Sequence, residues 1–208
     1  MGEFMKIEKY KKLTDNKYRV TLDNGTVIDV YEDVIVKNNL LYKKEIDLNL
    51  LKEIETDNEY QEAYNMALKY ITVRLRSINE IEVYLKKKNI KQEVIEDTIL
   101  RLKKNNFLND EIFAKAFIKD KLNFTTMGKY KLIQELKKLK VEESIINTQI
   151  GAIEEEVWYE RIDKLINKYL KSNKKHSGNI LKNKIYIYLV NLGYDKSLVI
   201  NSLNNYEF

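Results

Sequence analysis

Residues 77–99 read SINEIEVYLKKKNIKQEVIEDTI, and the same apolar pattern returns twice further along the chain. Segments that begin at Ser77, Gly128 and Leu181 share Ile or Leu at their fifth position and Leu at their ninth. Apolar or aromatic residues also coincide at the fourteenth, eighteenth, nineteenth and twenty-third positions. This spacing predicts a helix, a short connection and a second helix in each segment, at offsets of 51 residues (77 to 128) and 53 residues (128 to 181).

Each segment is preceded by a further apolar stretch with helical spacing. The three stretches are Glu59 to Arg74, Asp110 to Leu122 and Glu156 to Leu170. We therefore predict a mainly α fold of three tandem three-helix repeats, over residues 58–107, 108–154 and 155–208. Because one such repeat cannot bury its own apolar face, neighbouring repeats are expected to stack into an elongated curved array. The chain has no Pro and only 6 Gly, which also favours helix, although biased codon usage would have the same effect on Pro.

Residues 1–57 follow an alternating pattern that predicts a small β-rich domain before the repeats. Two runs of β-branched and aromatic residues, 18–22 and 27–31, are separated by a short polar segment. Asn24 and Gly25 in that segment are expected to supply the two positive-φ residues of a tight hairpin turn.

The rest of the N-terminal domain is less sharply defined by its sequence. Met5 to Leu13 is predicted as a third strand, because a turn signal follows it. Residues 32–38 fit either a short helix or a fourth strand. Residues 1–4, which precede a second Met, are interpreted as an added leader before the natural start.

Three local signals mark the predicted beginnings of helices. Ser77 and Glu80 have the spacing of a capping box, in which each side chain accepts a hydrogen bond from the other's backbone amide. Asp110 and Asp195 lie where a carboxylate would satisfy free amides and the positive end of a helix dipole.

The composition excludes several classes of function. With no Cys and a single His, His176, the chain offers no thiol nucleophile, disulfide framework or His and Cys metal cluster. It also lacks the phosphate-loop, nucleophile-elbow and paired-histidine motifs of common enzymes. We expect no catalytic residues, no metal and no cofactor, and we assign His176 to a mobile polar loop or to a delayed helix start. No stretch approaches the roughly 20 apolar residues of a membrane span, so a cytoplasmic monomer is expected.

The repeat residues resemble the RecX family, the regulators of the RecA recombinase. Residues 67–85 are similar to the signature of the family's first repeat, including Arg74, Arg76 and the Ser77 capping box. Further similarity covers the junction into the second repeat, its following helix and part of the third repeat. These segments are residues 107–117, 128–137 and 188–194.

The resemblance implies a non-catalytic protein that binds along the helical groove of the RecA filament on single-stranded DNA. Such a protein restrains the recombinase, ATPase and coprotease activities of RecA in recombination and DNA repair. The chain departs from the family where Gly usually connects the second and third helices of a repeat. Asn89 and Lys140 occupy that place in the first two repeats, and only Gly193 fits. Since Lys adopts the left-handed conformation at some cost, the second connection is expected to have a different geometry.

Clustered cations are the candidate partner-binding residues. Residues 1–58 carry 10 basic and 12 acidic residues, whereas residues 59–208 carry 27 and 20. The candidates are Arg74, Arg76, Lys86, Lys87, Lys88, Arg101, Lys103, Lys104, Lys129, Lys131, Lys137, Lys138, Lys140, Lys182 and Lys184. Because several occupy equivalent places in successive repeats, stacking would align them into a stripe suited to an acidic filament or to DNA phosphates.

Other interpretations of these cations remain open. A lysine run on a helix is by default a solvated face. The stripe also fits a helical-repeat module that binds DNA directly, and weak DNA contact is compatible with a RecA regulator as well. A third hypothesis is an adaptor that captures its partner through the edge of the N-terminal sheet.

Overall fold

The computed structural model describes residues 4–173 and 177–208 of the 208-residue chain, so the assignment of His176 lies outside it. The described residues form four strands and ten helices. The strands are β1 (Met5–Thr14), β2 (Lys17–Leu22), β3 (Val27–Tyr31) and β4 (Glu45–Ile46). The helices are α1 (Glu32–Lys37), α2 (Leu48–Val73), α3 (Ile78–Lys87), α4 (Gln92–Lys104), α5 (Asp110–Phe124), α6 (Lys129–Lys138), α7 (Glu143–Gly151), α8 (Glu155–Ser172), α9 (Gly178–Asn191) and α10 (Lys196–Leu203).

The N-terminal residues form an antiparallel sheet with strand order β3-β2-β1-β4. Residues 32–38, left open by the sequence, form the short helix α1 rather than a strand. In the β2–β3 turn only Gly25 has a positive φ, of 83°, so the expectation for Asn24 is wrong. Asn24 acts through its side chain instead, whose Oδ1 accepts a hydrogen bond of 2.9 Å from the amide of Thr26.

Helix α2 begins ten residues before the predicted start of the first repeat and runs through position 58 without a break. Asp47 caps it by accepting a 2.7 Å hydrogen bond from the amide of Leu50. Ile54, in its first half, is buried with the apolar residues of the sheet. The second half buries Ala63 and Ala67 instead. The two halves therefore bury different faces, which is why the spacing after Asn58 did not reveal the earlier start.

The chain divides into two compact units. Unit 1 comprises Met1–Leu75 and Ile81–Leu108, and unit 2 comprises Arg76–Glu80 and Asn109–Phe208. In unit 1 a cluster of apolar residues joins the sheet to α1 and the start of α2. In unit 2 a single cluster joins α5, α6 and α7 to α8, α9 and α10.

The three predicted repeats are confirmed as α2–α4, α5–α7 and α8–α10. Their equivalent apolar positions lie in the cores. Those that are buried in all three repeats are Ile81, Leu132 and Ile185, then Leu85, Leu136 and Leu189, and then Ile95, Ile146 and Val199. The sequence periodicity is thus a direct consequence of one packing arrangement used three times.

All three connections between the second and third helices use the left-handed conformation. Asn89, Lys140 and Gly193 have φ of 59°, 54° and 90° respectively. In each connection an amide also reaches back to a helix carbonyl, as when the amide of Val141 donates to Leu136 at 3.2 Å. The expectation of a different geometry at Lys140 is therefore wrong, because the helix closure is kept at the cost of an unfavourable φ for Lys.

Replacing Lys140 with Gly is expected to stabilise the protein. Gly adopts this φ without a Cβ clash, so the free energy of unfolding should rise by about 0.5–1 kcal/mol. Urea unfolding followed by circular dichroism measures the change. Lys138→Gly, which loses the same charge at the last residue of α6 together with the ion pair to Glu135, should instead cost about 1 kcal/mol. Equal changes in the free energy of unfolding for the two substitutions would contradict the backbone strain at Lys140.

The capping box at the start of α3 is confirmed. The amide of Glu80 donates to Ser77 Oγ at 3.2 Å, and the amide of Ser77 donates to Glu80 Oε2 at 3.0 Å. Asp195 caps α10, also as expected. Asp110 differs, because Asn109 caps its helix and the Asp110 carboxylate accepts a 2.9 Å hydrogen bond from the amide of Ile78.

None of the helices in the described part of the chain has the length and apolar character that crossing a lipid bilayer requires.

Candidate partner-binding surface

The fifteen predicted cations are divided between the two units. Unit 1 holds seven of them, Arg74, Lys86, Lys87, Lys88, Arg101, Lys103 and Lys104. Unit 2 holds the other eight, Arg76, Lys129, Lys131, Lys137, Lys138, Lys140, Lys182 and Lys184. Each group is described within its own unit, and the continuous stripe stays a prediction.

A backbone junction positions α6, the helix that carries four of the seven candidate lysines of unit 2. The amide of Gly128 donates to the carbonyl of Leu192 at 2.8 Å, and the amide of Tyr130 donates to the carbonyl of Gly193 at 2.8 Å. Free donors at the start of α6 thus meet free acceptors at the end of α9, and the two helix dipoles meet with opposite signs. The approach is so close that a Cβ on Gly128 would lie 2.4 Å from the carbonyl carbon of Gly193.

The same junction carries a side-chain contact between the starts of α6 and α10. The hydroxyl of Tyr130 donates to Asp195 Oδ2 at 2.7 Å. Ser197 and Tyr130, which both donate to this carboxylate, lower the pKa of Asp195 to about 2. The ionised carboxylate therefore contributes to the stability of unit 2.

Tyr130→Phe should weaken this contribution in a pH-dependent way. Because the folded pKa of Asp195 is depressed from 3.8, its stabilisation is complete above about pH 4 and is lost as the pH falls through about 2. We expect Tyr130→Phe to cost about 1 kcal/mol at pH 6 and less at pH 3. Urea unfolding at the two pH values measures this. Tyr159→Phe, which loses only a 3.5 Å hydrogen bond from Asn201, is the matched control and should show no such pH dependence.

The start of α3 uses an equivalent contact, which also lies within unit 2. The hydroxyl of Ser77 donates to the carbonyl of Leu139 at 3.4 Å. Ser77 and Leu139 occupy the positions that Gly128 and Leu192 occupy one repeat later. In one repeat the serine hydroxyl makes the contact, and in the next the glycine backbone makes it directly.

Three candidate lysines form exposed ion pairs. Lys86 pairs with Glu82 at 2.6 Å, Lys137 with Glu143 at 2.7 Å and Lys138 with Glu135 at 2.7 Å. Lys137 also lowers the pKa of the Glu143 carboxyl. Exposed pairs contribute at most about 1 kcal/mol each, so an acidic partner can exchange with these carboxylates at little cost.

Other candidate lysines are exposed and form no ion pair with any described residue. They are Lys87, Lys88, Lys103, Lys104 and Lys140. Lys87 lies in the last turn of α3, and Lys103 and Lys104 lie in the last turn of α4. A lysine there also stabilises its own helix through the dipole. The Lys88 ammonium lies 6.0 Å from the centre of the Tyr84 ring. All five residues are nevertheless exposed, so a negatively charged partner can reach them.

The arginines, in contrast, are engaged within the protein. The Arg76 side chain is only 11% exposed and pairs with Glu80 at 3.3 Å. Arg74 donates to the carbonyl of Leu75 at 2.9 Å. Only 5 of the 37 basic residues are Arg. The planar guanidinium has several donors in a fixed geometry, so it makes contacts that the single ammonium of Lys cannot make.

Arg101 belongs to a polar network around a cavity of about 570 Å³ in unit 1. Its guanidinium lies 4.2 Å from the centre of the Tyr64 ring and donates to Gln61 Oε1 at 2.9 Å. Gln61 in turn donates to Asp33 at 2.9 Å, and Lys37 pairs with Asp57 at 2.6 Å across the same cavity. These groups bind one another, so Arg101 holds α4 against α2, and its contact with a partner stays a prediction.

Lys131 and Lys182 are also partly used in packing. A Cβ on Gly193 would meet the Lys131 Cβ at 2.7 Å, so the stem of Lys131 packs against the α9–α10 connection. Lys182 donates to Asn204 Oδ1 at 3.0 Å and lies over the ring of Phe208. Lys129 is half-buried, whereas Lys184 is exposed.

Sequence reasoning missed Arg161, which positions the connection before α6. It donates to the carbonyls of Leu122, Thr125 and Met127, the last two at 2.7 and 3.3 Å. One guanidinium therefore binds three carbonyls of the connection between α5 and α6. The rarity of Arg in this lysine-rich chain was the signal that could have identified it.

Two family models match the chain within the first two repeats. The model described as the first three-helix domain of RecX matches residues 63–102, and the model described as the second matches residues 109–148. Both matches fall on helices whose packing is described above, α2–α4 and α5–α7.

Curated relatives and solved structures extend the similarity to almost the whole chain. The regulatory protein RecX of Halalkalibacterium halodurans is 32% identical over 205 residues, covering 96% of this chain and 76% of the relative. That of Bacillus subtilis is 30% identical, covering 98% and 76%. A crystal structure of regulatory protein RecX aligns with a TM-score of 0.86 at 22% identity, over 97% of this chain and 100% of the other. RecX from Lactobacillus salivarius aligns with a TM-score of 0.69 at 21% identity, over 72% and 97%.

Proposed function

Because the chain belongs to the RecX family of regulatory proteins, we propose that it regulates the RecA recombinase without catalysis of its own. It binds along the RecA filament on single-stranded DNA and mostly inhibits the recombinase, ATPase and coprotease activities. Its role lies in recombination and DNA repair. The helical units supply the binding surface, and lysines supply most of its charge.

The observation that supports this proposal is the placement of lysines at the ends of equivalent helices. Helix α3 ends in Lys86 and Lys87, and α6 ends in Lys137 and Lys138. All four are exposed in the unbound chain. A filament offers the same acidic surface again at each protomer, so a protein with repeated cations can contact adjacent protomers with equivalent groups.

The affinity should arise from several modest contacts acting together. One exposed Lys contributes little, but linked contacts raise the overall affinity because the second binding event is intramolecular. Charge contacts of this kind also accelerate encounter, and both effects weaken as salt screens them. Inhibition should therefore fall steeply between low and physiological salt.

The direct test is ATP hydrolysis by RecA on single-stranded DNA with increasing amounts of this protein. We expect the hydrolysis rate to fall, and we expect the protein to co-sediment with RecA filaments. A parallel pull-down with RecA in the absence of DNA separates contact with the recombinase from contact with the nucleic acid. An unchanged rate of ATP hydrolysis, together with no co-sedimentation with RecA filaments, would contradict the proposal.

A further inference from the structure

The N-terminal sheet buries one face and leaves the other open. Val20, Leu22 and Val30 are fully buried with the sheet core, so the residues that alternate with them face outward. The strand register places cations in that outer set. Lys9 lies opposite Thr21, and Lys11 lies opposite Arg19. Lys6 alternates with buried Met5 on the same strand, and Lys17 alternates with Arg19 on β2.

Charge is segregated onto this outer face. It carries five basic residues, Lys6, Lys9, Lys11, Lys17 and Arg19, and three acidic ones: Asp29 and Glu45, and Asp23, which is hydrogen-bonded to the backbone of Lys6. A further acid, exposed Glu8, lies between Lys6 and Lys9 at a register shift of β1. The first 58 residues as a whole are slightly acidic, with 10 basic and 12 acidic residues. Half of the segment's ten basic residues therefore lie on this face, which keeps a positive excess that the segment's net charge conceals.

The cations on β1 are available for binding. Lys6, Lys9 and Lys11 are exposed, and none forms an ion pair with a residue in the described ranges. On β2, Arg19 binds Asp29 through two hydrogen bonds of 2.7 and 3.0 Å, which neutralise the acid in the middle of the face. What remains is a row of free ammonium groups along one strand.

The dimensions of this row suit one phosphate backbone. Lys9 and Lys11 alternate along β1 and are therefore about 6.6 Å apart, whereas Lys6 is separated from them by a register shift after Ile7. The neighbouring strand lies only about 4.8 Å away. The second row, on β2, therefore reinforces the first. Two backbones across a major groove would need cations separated by about 12 Å. We propose that the outer face of the N-terminal sheet binds the phosphate backbone of single-stranded DNA without sequence preference.

An acidic protein partner fits this face less well. Protein interfaces depend on buried apolar or aromatic anchors at their centre. Among the described residues, the large apolar side chains beside this face that are more than half exposed are Val27, at 51%, and Phe4, at 63%. Both lie at its margins, because Phe4 precedes the first residue of β1 and Val27 is the first residue of β3. The ring of Tyr31 is covered by the Lys17 ammonium at 4.6 Å. Phosphate contact needs no apolar anchor, since released counterions provide the driving force.

Fluorescence anisotropy with a labelled oligo-dT strand, without RecA, tests the proposal on the full chain. Lys9→Glu/Lys11→Glu should weaken binding about tenfold or more. It should also make the slope of log affinity against log salt shallower by about 1.4, for two lost phosphate contacts at about 0.7 each. The double Gln variant should show a smaller loss in the same direction.

Lys12→Glu/Lys52→Glu is the matched control, because it has the same charge change. Lys12 lies opposite Tyr18 on the other face of the sheet, and Lys52 lies on α2. We expect the control to bind like the wild type. The proposal is overturned if the wild-type chain does not bind the strand at low salt, or if both double variants lose affinity equally. Loss of RecA pull-down by Lys9→Glu/Lys11→Glu, without any DNA binding by the wild type, would assign the face to a protein.

This proposal is independent of the proposed regulation of RecA. It is decided by anisotropy with DNA alone, whereas the regulatory function is decided by ATP hydrolysis. A chain that inhibits RecA but does not bind the strand would leave the regulatory function intact and remove only the role of the sheet. A chain that binds the strand but does not inhibit RecA would support the role of the sheet and contradict the regulatory function.

Discussion

Gly128→Ala is expected to destabilise unit 2 by about 3 kcal/mol and to lower its melting temperature by roughly 12 °C. The added Cβ would lie 2.4 Å from both the carbonyl carbon of Gly193 and the amide nitrogen of Tyr194. These are backbone atoms, which cannot move aside as a flexible side chain can. The two connections must therefore separate, and the 2.8 Å hydrogen bonds from Gly128 and Tyr130 are lost with them.

Gly151→Ala is the matched control for this prediction. Gly151 is the last residue of α7, and a Cβ built there would meet nothing within 4 Å. Ala should therefore be neutral or stabilise the helix by up to about 1 kcal/mol. Thermal unfolding followed by circular dichroism compares the two variants directly. If Gly128→Ala melts at the wild-type temperature, the close approach at the junction does not exist.

Reversing the exposed lysines of both units is expected to abolish regulation of RecA. The combined variant carries Glu at Lys87, Lys103, Lys104, Lys138 and Lys140. We expect the protein concentration that half-inhibits ATP hydrolysis to rise at least about 100-fold. Variants limited to one unit should raise it about tenfold, because linked contacts lose affinity multiplicatively. These positions, unlike the engaged arginines, can change without breaking internal contacts other than the exposed Lys138–Glu135 pair.

The control for this experiment reverses exposed lysines outside the predicted surface. Lys115, Lys119 and Lys168 are exposed and do not belong to the fifteen candidates. Their reversal should leave inhibition within about twofold of the wild type. Because a Glu in the last turn of a helix also opposes the dipole, a Gln series checks that lost inhibition does not reflect lost folding. Equal losses of inhibition in the two Glu series would show that the effect does not depend on which lysines are reversed, and would contradict the predicted surface.

The sequence predicted the repeated architecture because one packing solution is used three times. Ile81, Leu132 and Ile185 are equivalent in sequence and all fully buried, so their spacing alone revealed the helices. The capping box of Ser77 was equally local. The beginning of α2 could not be found in this way, since Ile54 packs on the sheet while Ala63 packs within the repeat, and no single apolar stripe joins them.

Contacts between distant residues were beyond the reach of sequence patterns. Gly128 and Gly193 are 65 residues apart, and nothing in either segment indicates that their backbones touch. Asp110 looked like the cap of its own helix, yet it binds the amide of Ile78, 32 residues earlier. The cations were found as a set, but only the structure separates exposed Lys87 from Arg101, which is stacked on Tyr64.

The continuity of α2 has a consequence for how the N-terminal region can be cut or exchanged. A deletion of residues 1–57 does not remove a separate domain. It also removes the first ten residues of the 26-residue helix α2 and the cap at Asp47. The shortened helix would begin at Asn58 without the Asp47 cap and without the packing of Ile54 on the sheet, and its new end would fray. In a chimera with a relative, the sheet, α1 and all of α2 should therefore come from the same parent protein.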